Sequence, residues 1–160
     1  MEFVVLIKMV ASISFDALWE ENAQDRLSGD QKIMNPADAN ALEAALRLRD
    51  AAGGRITVIS MGPSAAESIL RDCLARGADR AVHLCDPRLA GADTLATARA
   101  LTAAVRKTGV PDLILCGRRA IDSETGHIGA QMAKMLGVPC VPSVTGRGGS
   151  ASSAAAFTSA

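Results

Sequence analysis

Aromatic residues are almost missing from this 160-residue chain: Phe3, Phe15, Phe157 and Trp19 are all there are, and tyrosine is absent. The core must therefore be aliphatic, and a site built from several stacked rings is excluded. The two histidines, His83 and His127, lie too far apart in sequence to indicate a metal site. No two of Cys73, Cys85, Cys116 and Cys140 form a CxxC pair, so they read as small buried hydrophobes in a reducing compartment. Neither sign of charge is in excess, with 17 basic and 17 acidic residues, whereas a nucleic-acid binder normally carries a basic surplus. A phosphate ligand is not excluded, because it needs only two or three donors. No apolar run approaches the ~20 residues of a membrane span. The run 3–10 is interrupted by Lys8 and lacks a preceding basic region, so no targeting segment is read and the cytoplasm is the expected location. What is present, 49% hydrophobic residues, suits one domain with a real core.

The periodicity predicts alternating strands and helices. Residues 3–10 (FVVLIKMV), 55–61 (RITVISM), 81–85, 113–116 and 138–144 read as strands. Pro139 and Pro142 favour an edge position for the last of these. Residues 11–34 read as a long polar connection with a turn at Gly29-Asp30. Asn35-Pro36 opens a helix as N-cap and first residue, with Asp38 where a carboxylate suits the helix dipole. Ala66, Ile69, Leu70, Cys73 and Leu74 form one apolar helical face, and Leu95, Ala98, Leu101, Ala104 and Val105 form another. A further helix carries Ile128, Met132, Met135 and Leu136. The strands are continuous apolar runs rather than alternating ones. The expected fold is α/β, a parallel sheet with helices on both faces over residues 1–145. Residues 146–160, almost all Gly, Ser and Ala, read as a tail unable to order itself.

In such sheets ligands bind at the carboxyl ends of the strands, where strand order reverses. Of the strand ends, the one at residues 117–129, GRRAIDSETGHIG, has the best chemistry. Gly117 lets the backbone leave the strand sharply, and Arg118 and Arg119 are fork-shaped phosphate donors. Ser123 and Thr125 add hydroxyls, Gly126 and Gly129 permit close approach, and a helix expected to begin near Glu124 offers free N–H groups. On spacing alone a polar loop before a helix capped by Asp122 or Ser123 explains the segment equally well. Asp122 and Glu124 would have to point away, bind ribose hydroxyls, or be offset by the arginines. Asn35-Pro36-Ala37-Asp38 is, as a bare pattern, a helix start. No Walker loop, GxGxxG motif or nucleophilic triad is present, so hydrolase chemistry has little support.

Together, Lys8 after the first strand, MNPADANALEAALRLRD (34–50), VISMGP (58–63), ARGADRAVHL (75–84), GADTLATARAL (91–101) and LCGRRAIDSETGHIG (115–129) resemble the β subunit of electron transfer flavoproteins. The resemblance covers residues 1 to about 145. It implies a Rossmann-like, three-layer adenine-nucleotide-binding domain that pairs with an FAD-carrying α subunit to shuttle electrons from dehydrogenases. The protein would be a carrier subunit of a heterodimer, without catalytic residues of its own. The nucleotide would be AMP, or FAD in electron-bifurcating members. AIDSETG resembles the AIDGDT pattern of FAD-holding members more than the AIDDD pattern of AMP-holding ones, and GADTLATARAL points the same way.

The family's nucleotide contacts would fall here on Leu6, Asn35, Pro36, Ala37, Asp38 and Met61. In the loop they would fall on Gly117, Arg118, Arg119, Ala120, Ile121, Asp122, Ser123, Glu124, Thr125, Gly126, His127 and Ile128. Leu6 and Met61 replace smaller residues, so contacts there would use backbone atoms. Two features depart from the family: Val10-Ala11-Ser12 stands in place of a Val-Pro-Asp-like segment, and nothing after Gly146 resembles the family's recognition loop and α-subunit arm. The chain therefore reads as a shortened β subunit. A free-standing ATP-binding module of the universal-stress-protein type, or a fragment that keeps only the fold, are the alternatives.

Overall fold

A computed structural model of the chain describes residues 1–12, 32–144 and 154–158. The expected turn at Gly29-Asp30 lies outside the described residues.

The β-branched run at the start forms β1 (Glu2–Leu6), and its alternate residues face opposite ways. Phe3 and Val5 pack into one core layer with α1 (Pro36–Ala52) and α2 (Glu67–Ala75). Val4 and Leu6 pack into the other with α3 (Thr94–Thr108) and α4 (Ile128–Leu136). Strands β4 (Arg55–Met61), β5 (Arg80–Leu84) and β6 (Leu113–Gly117) complete the parallel part of the sheet, flanked by helices on both faces as expected. Completely buried Phe3, Ile56, Ile59, Leu42 and Met132 anchor the two layers, each contributing about 1.5–3 kcal/mol. No helix among the described residues is long and apolar enough to cross a membrane.

The six-stranded sheet runs β5-β4-β1-β6-β8-β7, with β7 at Cys140–Val144 and β8 at Ala154–Thr158. From β1 the chain moves outward to β4 and β5, then returns to the other side of β1 as β6. Strand order thus reverses between β1 and β6. Strand β7 occupies the edge, which suits Pro142 within it. The sheet is not wholly parallel, because β8 runs antiparallel to both β6 and β7. Part of the segment expected to remain a tail is therefore a strand. Backbone pairing with β6 and β7 supplies what its small side chains cannot signal.

Two other expectations change. Strand β1 stops at Leu6, and β2 (Met9–Ala11) pairs antiparallel with β3 (Lys32–Met34), so the ends of the long connection form a small second sheet. Leu74 and Leu95, assigned to inner helix faces, are 40% and 41% exposed, while Thr102 is buried and donates to Met135 Sδ.

Aspartates join strand ends across the sheet. At the amino ends of the strands, exposed Asp112 accepts from Glu2 N at 2.6 Å and exposed Asp79 accepts from Ile56 N at 2.7 Å. At the carboxyl ends the same task falls to Asp38, which is only 6% exposed.

Candidate functional site

An open cleft of about 830 Å³ lies over the carboxyl ends of β1, β4, β5 and β6, at the reversal of strand order. Its floor is apolar, made by Leu6, Ile59, Met61, Leu101 and Cys116. Its rim is polar and has two unlike walls.

The first wall joins the start of α1 to the segment after β6. Asn35 is the N-cap residue by position, yet its side chain makes no cap hydrogen bond. It is 1% exposed, and its carboxamide instead spans to the loop: Nδ2 donates to the Arg119 carbonyl at 3.0 Å and Oδ1 accepts from Ile121 N at 3.3 Å. Asp38 likewise reaches past its own helix. Its Oδ2 accepts from Lys8 N at 2.8 Å and its Oδ1 from Gly117 N at 2.9 Å, which ties β1 to β6. Burial pushes the Asp38 carboxyl up to about 6, against the lowering effect of these hydrogen bonds and of Lys8.

Close packing, rather than a sharp exit from the strand, accounts for Gly117. A Cβ there would collide with Asp38 Oδ1 and come within 2.8 Å of Ala37. Lys8 reaches over from the end of β1, with Nζ 2.7 Å from Asp122 Oδ1 and 3.5 Å from Ser123 Oγ. Arg119 Nη1 stands 3.5 Å from Glu124 Oε2. Both loop carboxylates are thus neutralised, Asp122 by a lysine and Glu124 by an arginine. Arg118 is exposed and has no ion-pair partner among the described residues.

The expected helix start near Glu124 is corrected. Helix α4 begins at Ile128 with His127 as N-cap residue, so neither Asp122 nor Ser123 caps it. Glu124 and Gly126 have φ of 52° and 65°, left-handed values that hold the chain out of a helix until His127.

The second wall runs from Cys85 through a 3-10 turn, Pro87–Leu89, to the first turn of α3. Asp86 accepts from Arg88 N at 2.9 Å, and Asp93 caps α3 through Ala96 N at 2.7 Å. The Arg88 guanidinium beside Asp86 lowers that carboxyl below its ordinary value. Gly91, Ala92, Thr94 and Thr97 face the cleft. Sequence reasoning did not place this wall in the site. Its available signals were the strand end at Cys85-Asp86 in a parallel sheet and the family resemblance of residues 91–101.

Of the residues expected to form the site, Leu6, Asn35, Asp38, Met61, Gly117, Arg118, Arg119, Ala120, Ser123, Thr125, Gly126 and Ile128 line the cleft, as does Gly129. Pro36, Ala37, Ile121, Asp122, Glu124 and His127 do not. Ala37 packs beneath Gly117, Ile121 contributes its N–H to Asn35, and Asp122 holds Lys8. Glu124 turns toward a smaller adjoining cavity of about 330 Å³.

Chemically, the cleft offers an apolar floor, a loop bearing an uncommitted guanidinium and two hydroxyls, and the amino ends of α3 and α4. That set suits an elongated ligand with a flat apolar part and a phosphate part.

Residues 27–153 match the electron transfer flavoprotein domain. The chain is 46% identical over 144 residues to the electron transfer flavoprotein subunit beta of Thermoanaerobacterium thermosaccharolyticum, covering 88% of this chain and 54% of that protein. It is 46% identical over 142 residues to the protein FixA of Azorhizobium caulinodans, covering 86% and 50%. It is also 48% identical over 114 residues to the caffeyl-CoA reductase-Etf complex subunit CarD of Acetobacterium woodii, covering 71% and 44%. The chain thus spans about half the length of the curated relatives it matches. By the extent of the domain match and the identity of these relatives, the chain belongs to the electron transfer flavoprotein domain family.

Proposed function

We propose that the cleft binds an adenine nucleotide and that the protein serves as an electron transfer flavoprotein β subunit. In this reading it pairs with an FAD-carrying α subunit, in the cytoplasm, to pass electrons from dehydrogenases. The observation that carries the reading is the first wall. Buried Asn35 and Asp38 hold a loop in which both carboxylates are neutralised while Arg118 stays uncommitted. A loop prepared in that way presents net positive charge to the cleft without a competing internal anion.

The residues present fit the group. Thr125 and Ser123 add hydroxyls beside the Arg118 guanidinium, and the apolar floor suits a flat ring. Of the two nucleotides the family resemblance offers, we favour FAD over AMP. At about 830 Å³ the cleft is near the upper end of the roughly 300–1,000 Å³ of small-molecule sites. The second wall extends it well beyond the loop that would hold one phosphate group. Bound FAD would supply a redox-active flavin ring, whereas AMP would only brace the domain. The chain's own residues bind and orient: Arg118 and Arg119 meet phosphate oxygens, and the apolar floor excludes water from the buried end.

Calorimetry with FAD and with AMP tests the reading, together with the absorbance spectrum and the extracted ligand of the purified protein. The expected results are binding, tighter for FAD, and a tenfold or greater loss when Arg118→Ala and Arg119→Ala are combined, since a charge-assisted hydrogen bond contributes about 1.5–3 kcal/mol. Absence of binding by either nucleotide at millimolar concentration would overturn it.

A further inference from the structure

Asp38 stands apart from the other groups of the first wall. It lines the cleft, yet both its oxygens are occupied by backbone N–H groups from two separate segments, Lys8 N just past β1 at 2.8 Å and Gly117 N at the end of β6 at 2.9 Å. The two residues it joins are the roots of the groups that shape the rim. Lys8 carries the ammonium that holds Asp122, and Gly117 is the last residue before Arg118 and Arg119. Asp79 and Asp112 join strand ends at the opposite end of the sheet, but they are exposed and lie away from the cleft. Of these three aspartates Asp38 alone is a buried residue, placed where holding an ionised carboxylate is hardest.

We propose that Asp38 is a positioning residue for the bound nucleotide, its carboxylate fixing the spacing of the β1 and β6 ends and thereby the loop that meets the phosphates. This rests on the adenine-nucleotide reading above and names a role that direct contact would not provide. An ionised carboxylate accepts from both N–H groups. A neutral carboxyl carries an O–H on one oxygen, which becomes the poorer acceptor, so one of the two bonds is weakened. The two forms therefore hold the loop differently, and the positioned loop favours the ionised one against the opposing like charge of the diphosphate.

The charged and titratable neighbours of Asp38 are few. Lys8 on the β1 side favours its ionised form. Beneath it, burial pushes the Cys73 thiol of α2 up to about 11, so that group stays neutral across the range that matters. Arg118 and Arg119 follow Gly117 on the β6 side. With the Asp38 carboxyl near 6 in the free protein, affinity should rise as pH rises through that value.

The test uses FAD as probe, because its diphosphate stays ionised across this range. Dissociation constants of the wild-type chain and of Asp38→Asn are measured from pH 5 to 8, with thermal melts to establish that both are folded. Wild-type affinity should fall about fivefold from pH 7.5 to pH 5. The variant keeps the shape but only one acceptor, so it should bind about tenfold more weakly at pH 7.5 and lack the inflection. An inflection contributed by any other group would survive in the variant. A variant with the wild-type profile, or with wild-type affinity at pH 7.5, would overturn the proposal while leaving the nucleotide reading intact. Absence of FAD binding by the wild-type chain at every pH would overturn both.

A second measurement needs no variant. The carboxyl-carbon resonance of Asp38, followed with and without FAD, should show its midpoint lowered by about one pH unit, by the reciprocity of linked equilibria. A midpoint that FAD does not move counts against the positioning role.

Discussion

The two walls of the cleft are built by opposite means. The wall at residues 117–126 is held from outside itself, by Lys8, Asn35 and Asp38, residues at least 79 positions away in the chain. The wall at residues 85–97 is held mainly from within, with one long-range bond from Gln131 Nε2 to Thr94 Oγ1 at 3.3 Å. Asp86 caps the turn that follows it, Asp93 caps α3, and the backbone bonds Leu89 N to Asp86 O and Ala90 N to Pro87 O close the turn. A wall held by long-range ties through buried polar groups is stiff, but it depends on each tie. One held by local caps tolerates loss, because each cap concerns only its own turn. The stiff wall carries the arginines, where a small displacement would cost charge-assisted bonds. The local wall contributes shape.

The largest expected effect comes from a glycine on each wall. Gly117→Ala places a Cβ against Asp38 Oδ1 and Ala37, so it should destabilise the fold by about 3 kcal/mol in urea titration and abolish nucleotide binding. Gly91→Ala meets nothing within 4 Å, but φ is 72° there. The expected cost is only about 1 kcal/mol, with little change in affinity. Equal losses at the two positions would break the contrast.

Next is the pH dependence of stability in the free protein. The Asp38 carboxyl is raised from 3.8 to about 6, so the folded state holds its proton more tightly than the unfolded chain does. Its contribution to stability is complete below about pH 4 and is lost as pH rises through 6, a change of about 3 kcal/mol. Wild type minus Asp38→Asn, measured by urea unfolding from pH 4 to 7, should show that slope. A difference that stays flat would place the carboxyl in a wetter setting than its 6% exposure indicates.

Smaller again is Asn35→Ala, which leaves the Arg119 carbonyl and the Ile121 N–H without their partner, at about 2 kcal/mol. Asp93→Ala removes only a cap on the other wall, at about 1 kcal/mol. If Asn35→Ala also weakens FAD binding and Asp93→Ala does not, the division of labour between the walls stands.

How far the residues announced all this varies along the chain. Strands β1, β4, β5 and β6 were readable because a buried parallel strand is a continuous apolar run. The helix faces were readable except at Leu74 and Leu95, where periodicity placed residues inside that the neighbouring elements do not cover. The pairing of β2 with β3 was not readable, because three residues each carry too little pattern. Strand β8 was hidden by its composition, since pairing with β6 and β7 depends on backbone groups that every residue has. The start of α4 was misplaced because left-handed φ at Glu124 is not a property of glutamate; it follows from the path the loop must take. The second wall was missed because its chemistry is ordinary capping.

By itself the sequence determined the layer architecture and the order of its elements, through apolar periodicity and the glycine and proline breaks. It also determined which segments resemble the family's nucleotide contacts. Only the tertiary structure decided what those residues do. Asn35 and Asp38 read as the start of a helix, since local propensity sees only the next turn. The fold brings β6 alongside β1, and that places the Arg119 carbonyl and the N–H groups of Ile121 and Gly117 within reach of two side chains that the helix itself does not use.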